Sequence, residues 1–228
     1  MYEQLRDFHS YTGSDRTIRD YVSKRKKELK ESMPEAALTL ESIPGTAQVD
    51  FGTAPFKYDS ETIDLPYIVM SFPHSNSFYF QVFPSENTEC LLEGLQRMFQ
   101  HMGRLPKTIR FDNLSPAVNK IFTKGERELT DTFERFVLHF GFKYEFCNPG
   151  KGNEKGHVEA MVKYIRNNFL LPENRITNID HFNKRLWEMA ENDRDRVHYD
   201  KKVLQSKLFE EDFNSFIMLP EKEFECVR

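Results

Sequence analysis

Three consecutive runs of β-type composition, Thr46 to Lys57, Ile63 to Phe72 and Ser77 to Phe83, are followed by an abrupt change of hydrophobic period. Pro73-His74-Ser75-Asn76, between the second and third runs, has turn chemistry, so the three read as an antiparallel meander. From Asn87 the apolar positions recur at helical spacing. Leu91, Leu92, Leu95, Met98, Phe99 and Met102 share one side, with Asn87 as N-cap and Gly103 as stop. A short strand, Thr108 to Phe111, comes next, then a helix from Asp131 to His139 capped by Thr130 and ended by Gly141. The strand Lys143 to Cys147, a Gly-rich loop from Asn148 to Asn153, and a long amphipathic helix carrying His157 to Phe169 complete the alternation. Another helix is expected from Asp180 to about Arg196, and the tail beyond it is less regular. Hairpin-connected strands followed by alternating helices and strands require one mixed sheet with helices packed on its faces.

Ahead of this block, Tyr2 to His9 reads as a short helix, Tyr11-Thr12-Gly13 as a turn, and Ser14 as the N-cap of a helix from Asp15 to Lys30. Ile18, Tyr21 and Val22 recur at helical spacing, and Arg16, Arg19, Lys24, Arg25, Lys26 and Lys27 crowd the remaining surface. Two helices joined by a Gly-containing turn suggest the end of a helix-turn-helix with the second as recognition helix. A merely solvated basic helix is the alternative. Ser32, Pro34, Ser42, Pro44 and Gly45 break periodicity and mark a linker. The expected organisation is a partial helix-turn-helix over 1–32, a linker over 33–45, a core over 46–198, and the start of a C-terminal region over 199–228.

Composition narrows the class. With 39% hydrophobic and 30% charged residues, 21 Phe and 9 Tyr, a disordered, collagenous or coiled-coil chain is excluded. No apolar run approaches the ~20 residues that span a bilayer, and the start lacks a signal peptide's apolar core, so a cytoplasmic protein is expected. Cys90, Cys147 and Cys226 are too widely spaced for a metal knuckle and read as reduced thiols. The net charge of −4 argues mildly against nucleic acid as a partner, yet Arg104 to Leu170 holds 12 Lys and Arg against 8 Asp and Glu.

Three carboxylates stand out. Asp50 lies midway along the first strand, in Val49-Asp50-Phe51, where a buried and unpaired charge costs several kcal/mol. Strand alternation equally allows it to face solvent. Asp112 ends the fourth strand, in Phe111-Asp112-Asn113, where open α/β sheets gather their ligands; its alternative is a turn-forming Asp-Asn. Glu159 sits early in the helix after the Gly-rich loop. Helical spacing aligns it with Lys155, Lys163 and Arg166 on one side, against Val158, Met161, Val162 and Ile165 on the other, and an ordinary Glu159–Lys163 surface pair is the bland reading. Such an element order matches the ribonuclease H-like fold, which brings a first strand, a fourth strand and a last helix together. Three carboxylates so placed repel unless divalent cations neutralise them, and an oxygen-only set favours Mg²⁺ or Mn²⁺. Two such ions can activate a water or a 3′-hydroxyl for in-line phosphoryl displacement.

These segments resemble a known family, the DDE transposases with a retroviral-integrase-type catalytic core, and most closely the IstA-like transposases of two-gene bacterial insertion sequences. Pro44-Gly45-Thr46-Ala47-Gln48-Val49-Asp50-Phe51-Gly52 is similar to the family's first-Asp segment and Phe111-Asp112-Asn113 to its second. Asn148-Pro149-Gly150 with Lys155-Gly156-His157-Val158-Glu159 is similar to the third, and Leu219-Pro220 through Phe224-Glu225 to the stretch after the core. The resemblance implies an integrase-type core with a five-stranded mixed sheet, in which Asp50, Asp112 and Glu159 coordinate two Mg²⁺. It also implies hydrolysis at transposon ends, strand transfer into target DNA, multimers on paired ends, and an AAA+ helper ATPase as partner. Arg16, Arg19, Lys155, Lys163 and Arg166 become candidate DNA contacts.

Several departures accompany the resemblance. Glu154 and Asp131 compete for the third position, with Glu159 ahead because it follows Gly-His-Val within the helix, and 46 residues separate Asp112 from Glu159. Against typical family members the chain reads as shortened at both ends, so a non-catalytic, interfering DNA-binding remnant is one alternative and a ribonuclease H-like nuclease another. His157 is expected to be a helix-surface histidine and Trp187 a core residue, whereas His101, His139 and His198 form no ligand spacing.

Overall fold

The computed structural model describes residues 12–32, 42–58, 61–112, 118–121, 127–147, 152–170 and 174–226. They fall into two compact units, residues 1–41 and 42–228. In the first, helix α1 (Asp15–Ser32) starts where Ser14 caps it, with the Thr17 N–H donating to Ser14 Oγ at 3.2 Å. Arg16 and Arg19 are exposed on it. The expected helix over Tyr2 to His9 lies outside the described residues, and with it the test of a helix-turn-helix.

The second unit is built on a five-stranded sheet in the order β3 (Ser77–Val82), β2 (Glu61–Phe72), β1 (Thr46–Tyr58), β5 (Thr108–Phe111) and β8 (Lys143–Phe146). β1 and β2 pair antiparallel from Gln48 opposite Ser71 to Tyr58 opposite Glu61, and β3 extends the meander. After α2 (Thr88–Met102) and the two-residue β4 (Arg104–Leu105), β5 (Thr108–Phe111) pairs parallel with β1 on its other side. A small hairpin of β6 (Val118–Ile121) and β7 (Arg127–Leu129) precedes α3 (Asp131–Phe140), and β8 (Lys143–Phe146) then pairs parallel with β5. The caps read from sequence hold. Asn87 accepts from the Cys90 N–H, Thr130 from the Phe133 N–H, and Gly103 and Gly141 close their helices in the left-handed conformation.

α4 (Gly152–Asn168) lies against β1 and β2, with Val158, Met161 and Ile165 buried. α5 (Ile179–Asn192), capped by Asn178, covers the outer strand, and it ends four residues before the expected Arg196 in a 3-10 turn at Asp193–Asp195. An edge strand presents unpaired backbone groups that need partners. Here the Val82 N–H donates to Asn183 Oδ1 at 2.8 Å and Asn183 Nδ2 donates to Val82 O at 3.0 Å, so one side chain completes the ladder. Asn183→Ala leaves both buried groups orphaned and is expected to cost about 1–3 kcal/mol. Urea denaturation measures it, and an unchanged midpoint would refute this account of the bracket.

The described part of the tail, residues 199–226, falls in the same compact unit as the sheet. α6 (Gln205–Asn214) brings Phe209 within 5.3 Å of Phe72, ring centre to ring centre, and β9 (Ile217–Met218) pairs with β4. Phe224 packs on Phe136 at 5.2 Å, while its backbone N–H donates to Gln96 Oε1 and its carbonyl accepts from Gln96 Nε2. At the other end the division falls after residue 41, so Ser42 to Gly45 belong with the core. The Gly45 N–H donates at 2.9 Å to the fully buried Asp212, whose carboxyl burial pushes above its ordinary range. No helix among the described residues is long and apolar enough to cross a membrane.

Candidate active site

The parallel pairing of β1 with β5 sets the distance between the first two carboxylates. Val49 lies opposite Phe111, and the Asp112 N–H donates to Val49 O at 3.2 Å, so the ladder runs one residue past β5 and leaves Asp112 beside Asp50. Asp112 is only 7% exposed. Asp50 is half-buried, opposite Val69 on β2, and its Oδ1 accepts from the Phe51 N–H at 2.8 Å. Strand alternation had left it free to face solvent.

Burial is the main reason that the Asp50 carboxyl is pushed from 3.8 up to about 7; the Phe51 N–H opposes the rise, and the charges of Asp112 and Glu159 add to it. Glu159 therefore acts on the same spot from α4, its side chain exposed. Glu86, in the loop between β3 and α2, contributes in the same direction, and no strand or helix period marks that loop position in the sequence. Among the described residues no three His, Cys, Asp or Glu side chains lie close enough together to hold a metal ion as they stand. By donor chemistry, an oxygen-only group whose charges converge on Asp50 suits a hard divalent cation.

Two contacts fix α4, and with it Glu159, against the sheet. The Tyr67 hydroxyl donates to Val162 O at 3.0 Å. Burial pushes that hydroxyl up to about 12 against the opposing charge of Arg166, so it stays a donor at any working pH. His157 is the second anchor and a correction to the expectation of a surface histidine. It is half-buried, with Nε2 3.2 Å from Asn76 Oδ1 and Nδ1 3.4 Å from Ser71 Oγ. Burial pushes its imidazole down to about 4, so it stays neutral. Sequence alone gave no reason to pair it with a turn 81 residues away.

Lys163 and Arg166 are exposed on the Glu159 flank of α4, as helical spacing predicts. Arg16 and Arg19 lie in the other unit. The side chains of Lys155 and Glu154, and the segment Asn148 to Lys151, lie outside the described residues, as does Asn113. Asp131 opens α3 and does not figure among the charges that act on Asp50. Trp187 is buried, its ring 4.6 Å from that of His101.

No protein-family model matches the chain. The transposase of insertion sequence IS640 from Shigella sonnei is 29% identical over 177 residues, which cover 77% of this chain and 55% of that protein. The transposase of IS21 from Pseudomonas aeruginosa is 28% identical over 177 residues, covering 77% of this chain and 44% of that protein. The chain thus spans about half the length of the curated relatives it matches. Among solved structures, a chain of the simian T-cell lymphotropic virus intasome in complex with PP2A regulatory subunit B56γ superposes with a TM-score of 0.50 over 74% of this chain and 55% of that one, at 17% identity. At that identity the likeness speaks for the fold, which is the ribonuclease H-like, integrase-core arrangement expected from the element order. In sequence, then, the chain is similar to the transposases of IS21-type insertion sequences, and in fold to an integrase-type core.

Proposed function

We propose that this chain carries the strand-cleaving and strand-joining chemistry of a DNA transposase, with Asp50, Asp112 and Glu159 as its catalytic carboxylates. The observation that supports the reading best is the β1–β5 register that sets Asp112 beside Asp50, with the charge of Glu159 acting on Asp50 from a separate element. The three would hold two Mg²⁺ or Mn²⁺ ions. When bound, such ions activate a water or a terminal 3′-hydroxyl and offset charge on the leaving oxygen. Asp50 gives up its proton as its charge is offset, and the His157 and Tyr67 anchors keep Glu159 facing the two aspartates. Lys163, Arg166 and Lys155 contact phosphates on the same flank of α4, and Arg16 and Arg19 contact the DNA backbone from α1. Paired transposon ends would make a multimer the working form, with an AAA+ ATPase as helper.

The test is joining of pre-cut ends of the parent element into plasmid DNA by purified protein in Mn²⁺. Joining that is lost in EDTA and retained in Glu154→Gln supports the assignment. Cutting of the RNA strand of a hybrid without any joining would replace it by a nuclease, and loss of joining in Glu154→Gln would move the third carboxylate.

A further inference from the structure

The helix that carries Glu159 has a second flank. His157, Met161 and Tyr164 recur on α4 at i, i+4 and i+7, and the buried Val158 and Ile165 separate them from Glu159, Lys163 and Arg166. With Asn76 of the β2–β3 turn, and with Arg196 and Tyr199 from beyond the 3-10 turn, they line an open cleft of about 520 Å³. That is the size of a small-ligand site rather than a packing defect.

Its walls have the chemistry that holds a nucleotide. Tyr199 is 70% exposed, yet its ring is stacked on His198 at 4.7 Å and 21°. His198 is itself buried, and its Nδ1 accepts the N–H groups of Asp200 and Lys201 at 3.2 and 3.1 Å. One face of Tyr199 is therefore backed by a fixed ring and the other is open, so a base stacking there orders little that is not already ordered. The Arg196 guanidinium lies 4.6 Å over the Tyr164 ring and is bonded to Asp193, which the Tyr164 hydroxyl also contacts at 2.9 Å. Lys202, three residues on from Tyr199, donates to the Tyr199 carbonyl. A duplex does not expose the face of an internal base, so the platform suits an unpaired nucleotide.

We infer that this cleft holds one unpaired nucleotide of a DNA strand bound along α4, its base on Tyr199 and its phosphate at Arg196. The inference rests on the transposase reading for its choice of DNA, and it adds to that reading a preference for ends that carry a single-stranded overhang. Arg196 and Tyr199 would then decide how the strand beyond the reacting end is gripped.

Fluorescence anisotropy of the full chain, in Ca²⁺, with a labelled duplex that is either blunt or carries a three-nucleotide overhang, tests the idea. Wild type is expected to prefer the overhang. Tyr199→Ala should weaken binding of the tailed duplex about tenfold and leave the blunt one alone, while Tyr199→Phe retains the preference. Arg196→Ala should lower the salt slope for the tailed duplex by about 0.7. Equal binding of the two duplexes by wild type, or a preference untouched in Tyr199→Ala, overturns the cleft and leaves the transposase reading to stand on the joining assay. A folded wild type that binds neither duplex also overturns it, and loss of joining in the same preparation would then remove the transposase reading as well.

Discussion

Asp50→Asn is expected to reduce joining of DNA ends by about 10²–10³-fold, because one carboxylate of a metal-dependent site is worth several kcal/mol of transition-state stabilisation. The same substitution should make the metal-free protein more stable at neutral pH. The Asp50 carboxyl ionises near 7 in the fold against 3.8 ordinarily, so between those values the folded state keeps a proton that the unfolded chain releases. Wild-type stability therefore falls as pH rises through that window, and the deficit is complete above about pH 7. Asparagine has the shape without the charge and avoids the deficit. Half-exposure lets solvent screen the group, which brings the expected gain down to about 1–2 kcal/mol at pH 8, vanishing near pH 4. Thermal denaturation in EDTA at pH 5 and pH 8 measures it. Added Mn²⁺ should then raise the melting temperature of wild type and not of Asp50→Asn. A variant no more stable than wild type at pH 8, or an advantage that grows toward acid, would contradict the strained-carboxylate account.

The order of elements and both aspartate positions could be read from the sequence because each rests on a local signal. Asn87 and Thr130 are capping residues followed by apolar positions at helical spacing, and Gly103 and Gly141 are stops. What escaped was whatever depends on a partner distant in sequence. β4 and β9 have two residues each and no period of their own; they exist because Arg104 and Leu105 meet Met218 and Ile217 across the fold. α6 follows an irregular stretch with no period of its own, and Phe209 and Phe216 need the Phe72 ring to bury them. His157 was misjudged for the same reason, since its partners come from Ser71 and from Asn76, which sits at positive φ in a turn. Glu86 acts on Asp50 from a loop, where spacing rules say nothing.

The structure gives Gly52 a mechanical role that Gly52→Ala should expose. Gly52 faces Tyr67 across the β1–β2 ladder. A Cβ at Gly52 would lie 2.4 Å from Tyr67 Cζ and 2.6 Å from its hydroxyl oxygen, closer than non-bonded atoms tolerate. The ring tip cannot swing away cheaply, because Tyr67 is fully buried and its hydroxyl is bonded to Val162 O. Overpacking of this kind costs about 1–3 kcal/mol, and a broken hydrogen bond adds about 1 kcal/mol. Tyr67→Phe alone should show only the second part. The functional loss should exceed the stability loss, because Val162 lies less than one turn from Glu159 and a shifted α4 moves that carboxylate away from Asp50 and Asp112. Joining by Gly52→Ala is accordingly expected to drop at least about tenfold at temperatures where the variant is still folded. A double-mutant cycle decides the cause: in a Tyr67→Leu background the clash is gone, so Gly52→Ala should become nearly neutral in stability. If its cost is undiminished there, the glycine is needed for the strand's own backbone, and Tyr67 is not the reason that β1 carries no side chain at this position.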